Sequence, residues 1–179
     1  MRGLLGFARD SRDARHPATL QSILDAVLVL SNAQLKRDGI KLRIETPGDL
    51  PLIRASEQQL QQVFLNLISN ARYALNKKYD GPHQDKILEI RGERHTTNGT
   101  PHLRVVVRDH GTGIPEDLLD RVTSPFFTTK PPSEGTGLGL SLCNNIVVDH
   151  GGSLAIESVE GHGTSIIIDL PAEASEEAP

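Results

Sequence analysis

Gly135-Thr136-Gly137-Leu138-Gly139-Leu140 runs without a break into an apolar helical pattern that stops at His150-Gly151-Gly152. Backbone amides at a helix start are free to bind an anion, and glycines ahead of them leave no side chain to block its approach. The spacing is not that of either common phosphate loop. The dinucleotide fingerprint needs glycine where Leu140 or Glu116 stands, and no glycine-lysine pair exists for the other loop.

Just upstream, Phe126-Phe127-Thr128-Thr129-Lys130 sets half of the four phenylalanines beside hydroxyls and a cation. Pro125, Pro131 and Pro132 bar a regular helix or a central strand here. The segment reads either as a lid over a ligand, with apolar anchors and Lys130 reaching for phosphate, or as a loop packed into the core. Further back, Asp109-His110-Gly111-Thr112-Gly113-Ile114-Pro115 follows a strand pattern. Its glycines permit a tight path close to a flat ligand, and Asp109 can accept a hydrogen bond from an amine such as that of adenine; the alternative is a simple turn. In Asn66-Leu67-Ile68-Ser69-Asn70-Ala71 two carboxamides lie one helical turn apart on one face. A carboxamide oxygen is a neutral, hard ligand that suits Mg²⁺, whereas the plain reading is a polar helix flank.

Around these segments the periodicity predicts an α/β sandwich in two layers, a mixed β-sheet covered on one face by about three helices. Leu20, Ile23, Leu24, Val27 and Leu30 form one helical stripe, with Pro17 in its first turn and Gly39 at its stop. Ile40, Leu42 and Ile44 alternate with charges as a strand. Leu60, Phe64, Leu67, Ile68, Ala71 and Leu75 form a second stripe behind a Ser56/Gln59 capping box, ending near Tyr79-Asp80-Gly81-Pro82. Strands are expected at 86–91 and 103–108 around an Asn98-Gly99 hairpin turn, then at 154–158 and 164–170.

The 179 residues suffice for one domain, and a net charge of −4 gives no broad basic field, which disfavours nucleic acid as a partner. Cys143 is the one cysteine, so no internal disulfide forms. No stretch has the apolar length of a membrane span or the layout of a signal peptide, and the chain reads as cytoplasmic, without direct membrane contact.

The order of asparagine helix, Asp-x-Gly-x-Gly-Ile, Phe-Phe-Thr-Thr-Lys and Gly-x-Gly-Leu-Gly-Leu resembles the N box, first glycine box, F box and second glycine box of histidine kinase catalytic domains. Gly151-Gly152, Glu157-Ser158, Gly161-x-Gly163-Thr164 and Leu170-Pro171 are similar to that family's last strands, and the short lid is similar to the nitrogen-regulation subtype. The resemblance covers residues 17–171 and implies the Bergerat fold with ATP and Mg²⁺ between the asparagine helix and the lid. It implies Asn70 as metal ligand, with Asn66, Asn70 and Lys130 as the catalytic set. Asp109 would receive the adenine amine, with Gly111, Gly113 and Ile114 shaping the base pocket and Thr164 supporting Asp109 through its hydroxyl or a water. Thr128, Thr129 and Lys130 would lie in the lid. Gly135, Thr136, Gly137, Leu138, Gly139 and Leu140 would wrap the phosphates.

Many relatives carry lysine or another polar group three residues after the second asparagine, where this chain has Tyr73. Either Arg72 compensates or the Tyr73 hydroxyl meets phosphate. Relatives on this fold that hydrolyse ATP carry a glutamate where this chain has Asn66, and an amide cannot serve as a general base, so transfer to an external nucleophile is favoured over hydrolysis. The acceptor histidine of the family lies mid-helix before an acidic residue, and none of the seven histidines here fits. It is therefore expected on a dimerisation and histidine phosphotransfer domain, with a response regulator receiver domain downstream. Residues 1–16 would be the end of a dimerisation helix and a linker, residues 172–179 an acidic tail, and the isolated domain a monomer.

Overall fold

The computed structural model describes residues 14–131 and 135–173. Residues 1–13 of the expected helix end and linker and residues 174–179 of the expected tail lie outside them. In chain order the elements are β1 (His16–Ala18), α1 (Leu20–Arg37), β2 (Lys41–Glu45), β3 (Ile53–Ala55), α2 (Glu57–Lys78), β4 (Ile87–Thr97), β5 (Thr100–Asp109), a 3₁₀ turn (Glu116–Leu118), α3 (Gly139–Asp149), β6 (Ser153–Val159) and β7 (Gly163–Pro171).

Five strands form one sheet in the order β2-β4-β5-β7-β6, with β2 and β4 parallel and the other pairs antiparallel. The three α-helices cover one face, as expected of the two-layer sandwich. Phe64, Leu60, Leu67 and Leu75 of α2, with Ile23 and Leu24 of α1, pack onto Leu88, Ile90, Leu103 and Ile168 of the sheet. Val147 and Cys143 bring α3 into the same core. On the opposite sheet face one row reads Arg43, Glu89, Arg108, Ser165 and Glu157, and the next reads Arg91, Val106, Ile167 and Ala155. Period-two alternation thus sorts each strand between core and open face. No helix among the described residues is long and apolar enough to cross a membrane.

Pro17 departs from expectation: it lies in β1, not in the first turn of α1. Thr19 is the N-cap, its hydroxyl accepting from the Ser22 amide at 3.0 Å, and a proline with no N–H to donate is tolerated in a short edge strand. The β1–β3 pair is an addition the periodicity did not signal, since strands of three residues carry too few alternations. It is closed from the far end of the chain, where Ala172 bridges Ile53 and the Glu173 amide donates to the Leu52 carbonyl at 2.7 Å. The central hairpin is longer than expected. Asn98 and Gly99, with φ of 51° and 79°, make a two-residue turn whose twist matches the strands and lets pairing run from Leu88↔Asp109 to Thr97↔Thr100.

Helix α2 is fixed at both ends. Ser56 caps its start, with its hydroxyl 3.5 Å from the Gln59 amide. The buried His150, just past α3, accepts from the Ser56 amide through Nε2 at 3.1 Å, while its Nδ1 donates to the Ile146 carbonyl at 2.7 Å. At the other end the buried Lys86 ammonium donates to the carbonyls of Gly81 and Tyr79, at 3.1 and 3.4 Å. Both contacts collect polar backbone left over where a helix ends.

Candidate functional site

Because Leu60, Phe64, Leu67, Ala71 and Leu75 face the core, Asn66, Asn70 and Tyr73 share a half-buried flank of α2. Three glycine-bearing segments converge on that flank. The loop after β5 brings Gly111 so close to Ala74 that an added Cβ would lie 2.6 Å from the Ala74 Cβ. The start of α3 brings Gly139 to the carboxamides, where a Cβ would stand 3.9 Å from Asn66 Cγ and 4.0 Å from Asn70 Nδ2. From the lid segment, the Lys130 ammonium donates to Asn70 Oδ1 at 2.8 Å and lies 4.7 Å from the Tyr73 ring centroid.

Asp109 closes β5 and is 7% exposed. Burial pushes its carboxyl up to about 6, against the opposing backbone hydrogen bonds from Gly111 and Thr164. The Gly111 amide donates to Oδ1 at 2.8 Å. Such a carboxyl is a directional acceptor in a largely dry position, suited to an amine on a flat base. Gly113, at φ +67°, turns the loop against the β6–β7 hairpin. The Gly161 amide donates to the Thr112 carbonyl at 2.7 Å. Ser158 completes the junction: its hydroxyl accepts from the Ile114 amide at 2.8 Å and donates to the Gly163 carbonyl at 2.9 Å.

Of the two routes expected from Thr164 to Asp109, its hydroxyl or a water, the hydroxyl is engaged elsewhere. With the Ser158 proton engaged on Gly163, the Thr164 hydroxyl donates to Ser158 Oγ at 2.9 Å, and the backbone of Thr164 takes part at Asp109 instead. Outside the base loop, Lys78 donates to the His110 carbonyl at 2.9 Å, and His110 Nε2 donates to Glu89 at 2.8 Å. Behind Asn66 the buried Cys143 thiol donates to the Val63 carbonyl at 3.7 Å, and burial pushes that thiol up to about 11.

The lid segment folds on itself. Gly135 packs on Thr128 and Lys130, so that an added Cβ would lie 2.5 Å from the Thr128 hydroxyl and 2.7 Å from the Lys130 Cβ. Thr128 Oγ1 accepts from the Lys130 amide at 3.1 Å, and Thr136 Oγ1 from the Leu138 amide at 3.4 Å. Gly137, at φ +69°, sits against the Phe126 backbone. Of the two expected apolar anchors, Phe127 is half-buried with Arg121 stacked 4.7 Å over its ring, but Phe126 is 77% exposed at φ +65°. Packing of the loop thus falls to one phenylalanine. Thr129 and Leu138 are exposed, Leu138 as the N-cap of α3 with no side-chain bond, and Leu140 is half-buried against the core.

Arg72 is turned away from this flank. It pairs with Asp38, which also accepts from Asn76 at 2.7 Å, and it reaches Gln34 at 3.3 Å. Of the two residues considered beside the phosphates, Tyr73 alone faces the lid. Ala74, Ser158 and Cys143 were not singled out as site residues. Their contacts join segments far apart in sequence, and no local pattern announces them.

Residues 55–174 match the family of histidine kinase-, DNA gyrase B- and HSP90-like ATPases. Sensor histidine kinase ZraS of Escherichia coli (strain K12) is 32% identical over 176 residues, covering 98% of this chain and 35% of ZraS. Sensory histidine kinase/phosphatase NtrB of Rhizobium leguminosarum bv. phaseoli is 36% identical over 171 residues, covering 93% of this chain and 44% of NtrB. The chain therefore spans less than half the length of these relatives. The catalytic domain of histidine kinase ThkA, in a nucleotide-free form, matches 88% of this chain and 95% of its own at 32% identity, with a TM-score of 0.73.

Proposed function

The chain belongs to the histidine kinase-, DNA gyrase B- and HSP90-like ATPase family, as a catalytic domain of the sensor histidine kinase type, and from that premise we propose that it holds Mg-ATP along α2 and delivers the γ-phosphoryl group to a histidine on another domain. The observation that carries this reading is the convergence on one flank of α2 of a buried strand-end carboxyl, two carboxamides, a lid lysine and the glycine-led start of a helix.

Asp109 takes the adenine amine, and Gly111, Gly113 and Ile114, fixed against Ala74 and the β6–β7 hairpin, give the base a rigid wall. Gly135, Gly137 and Gly139 leave the first amides of α3 open to phosphate oxygens, with Thr128, Thr129, Thr136, Leu138 and Leu140 framing the turn. Lys130 supplies positive charge from the lid. The residues present fit a divalent ion: Asn70 Oδ1 is a neutral oxygen already facing a cation, the Lys130 ammonium at 2.8 Å. When bound, Mg²⁺ would neutralise phosphate charge in the transfer. Asn66, beside Asn70 at Gly139, carries an amide that cannot abstract a proton from water, which favours transfer over hydrolysis.

The acceptor belongs to a dimerisation and histidine phosphotransfer domain, and a response regulator receiver domain would take the group next, on the cytoplasmic side where ATP is available. Of the seven histidines, three lie in strands and four in loops, turns or just past a helix end, with none inside a helix. Incubation with γ-labelled ATP, with and without a separately made dimerisation domain, tests this. Label should pass to the added domain and the lone chain should stay unlabelled; strong self-labelling of the lone chain would refute it.

A further inference from the structure

On α2 the Lys130 ammonium meets two uncharged groups. It lies 2.8 Å from the Asn70 carboxamide oxygen and 4.7 Å from the Tyr73 ring centroid. Asn70 and Tyr73 are three residues apart on α2, so oxygen and ring face the same volume. All three side chains are half-buried, a setting in which a cation over an aromatic face is worth more than at an open surface. The lid backbone is drawn into the same contact, since Gly135 packs on the Lys130 Cβ.

We infer that Tyr73 is a positioning residue that seats Lys130 as an internal cation on Asn70 before nucleotide arrives, so that the lid segment is tethered to α2 and a divalent ion must displace the lysine from the Asn70 oxygen. The tether stands on geometry alone; the identity of its competitor rests on the reading given under Proposed function. Two cations crowding one amide oxygen repel, so ion entry and lysine release are coupled. The ring offers an ammonium a partner and offers a divalent ion no oxygen ligand except the phenol, which makes the seat selective for the lysine.

Millisecond hydrogen–deuterium exchange of the nucleotide-free chain, read at the amides of residues 126–130, tests the seat. Tyr73→Leu and Lys130→Met should each speed exchange there about threefold or more, from the ~0.5–2 kcal/mol of such a contact. Tyr73→Phe, which keeps the ring, should match the parent. Equal exchange in all four proteins overturns the seat, and so does Tyr73→Phe behaving like Tyr73→Leu. Lys130 lies outside every helix and strand, so Lys130→Met decides the matter if Tyr73→Leu disturbs the fold. The second arm is the ratio of Kd values for a non-hydrolysable ATP analogue without and with Mg²⁺. That ratio should be larger in Tyr73→Leu than in the parent, and an unchanged ratio overturns the competition. Absence of analogue binding in every variant, with the exchange pattern as expected, would leave the tether standing and remove the ATP reading instead.

Discussion

Asp109 combines two demands that oppose each other. To accept from an amine it must be buried among backbone donors, and burial pushes its carboxyl from 3.8 to about 6. A carboxyl so raised destabilises the fold at neutral pH by about 3 kcal/mol, because the unfolded chain ionises more easily. The sign follows directly: its contribution is fully present below about pH 4 and is lost as pH rises through 6. Asp109→Asn keeps an oxygen for the Gly111 amide and removes the charge. We expect this variant to be more stable than the parent by about 1–3 kcal/mol at pH 7 in urea unfolding, with the gain shrinking toward pH 4. The same variant should bind an ATP analogue about tenfold or more weakly, since a charge-assisted bond is lost. A less stable variant at pH 7, or one with parental affinity, contradicts the role. Ser158→Ala strips the Ile114 amide of its acceptor and should cost about 1–3 kcal/mol together with weaker nucleotide binding; unchanged thermal stability would show that the junction is slack. Asp109 stands out in the sequence as a strand-end carboxylate before two glycines, and the structure buries it there. Ser158 drew notice only through the resemblance, for its partner Ile114 is 44 residues away.

Helix α2 carries the site and is anchored at both ends by side chains from other elements. His150 must be neutral to accept from the Ser56 amide while donating to Ile146, and burial holds it below its ordinary value of 6.5. Arg15 works in the same direction, while Asp149 and the Ile146 bond oppose it. A depressed histidine contributes stability that is present in full above pH 6.5 and is lost as pH falls below it. His150→Gln should therefore unfold with a shallower loss of midpoint between pH 7 and 5 than the parent, and parallel curves would refute the assignment. At the far end, Lys86→Met leaves the Gly81 and Tyr79 carbonyls short of a donor and should lower stability by about 1–3 kcal/mol, measurable in the same urea series. Helices were legible here because their stripes are long, the one over α2 running from Leu60 to Leu75. The β1–β3 pair was not, since it pairs only three residues and is closed by the returning chain end. Pro17 misled for the same reason: its fixed φ suits a helix start and an edge strand equally.

In the whole molecule the candidate site lies along the helical layer, while on the open sheet face Arg104 grips Asp169 through two bonds of 2.7 Å. The periodicity along the chain was enough to expect this architecture, and the order of the four segments carried the resemblance that implies the same fold. Where Arg72 and Tyr73 point was not legible, since one step along a helix turns a side chain by about 100° and the sequence left both residues as candidates. The structure turns Tyr73 toward Lys130 and Arg72 toward Asp38. The central claim is that α2, the glycine-shaped loops and the lid form one pocket for an adenine nucleotide and a divalent ion. Calorimetric titration of the chain with a non-hydrolysable ATP analogue, in the presence and absence of Mg²⁺, tests it most directly. The account predicts saturable binding at a single site that tightens when Mg²⁺ is added; a folded chain that takes up no adenine nucleotide at millimolar concentration would contradict it.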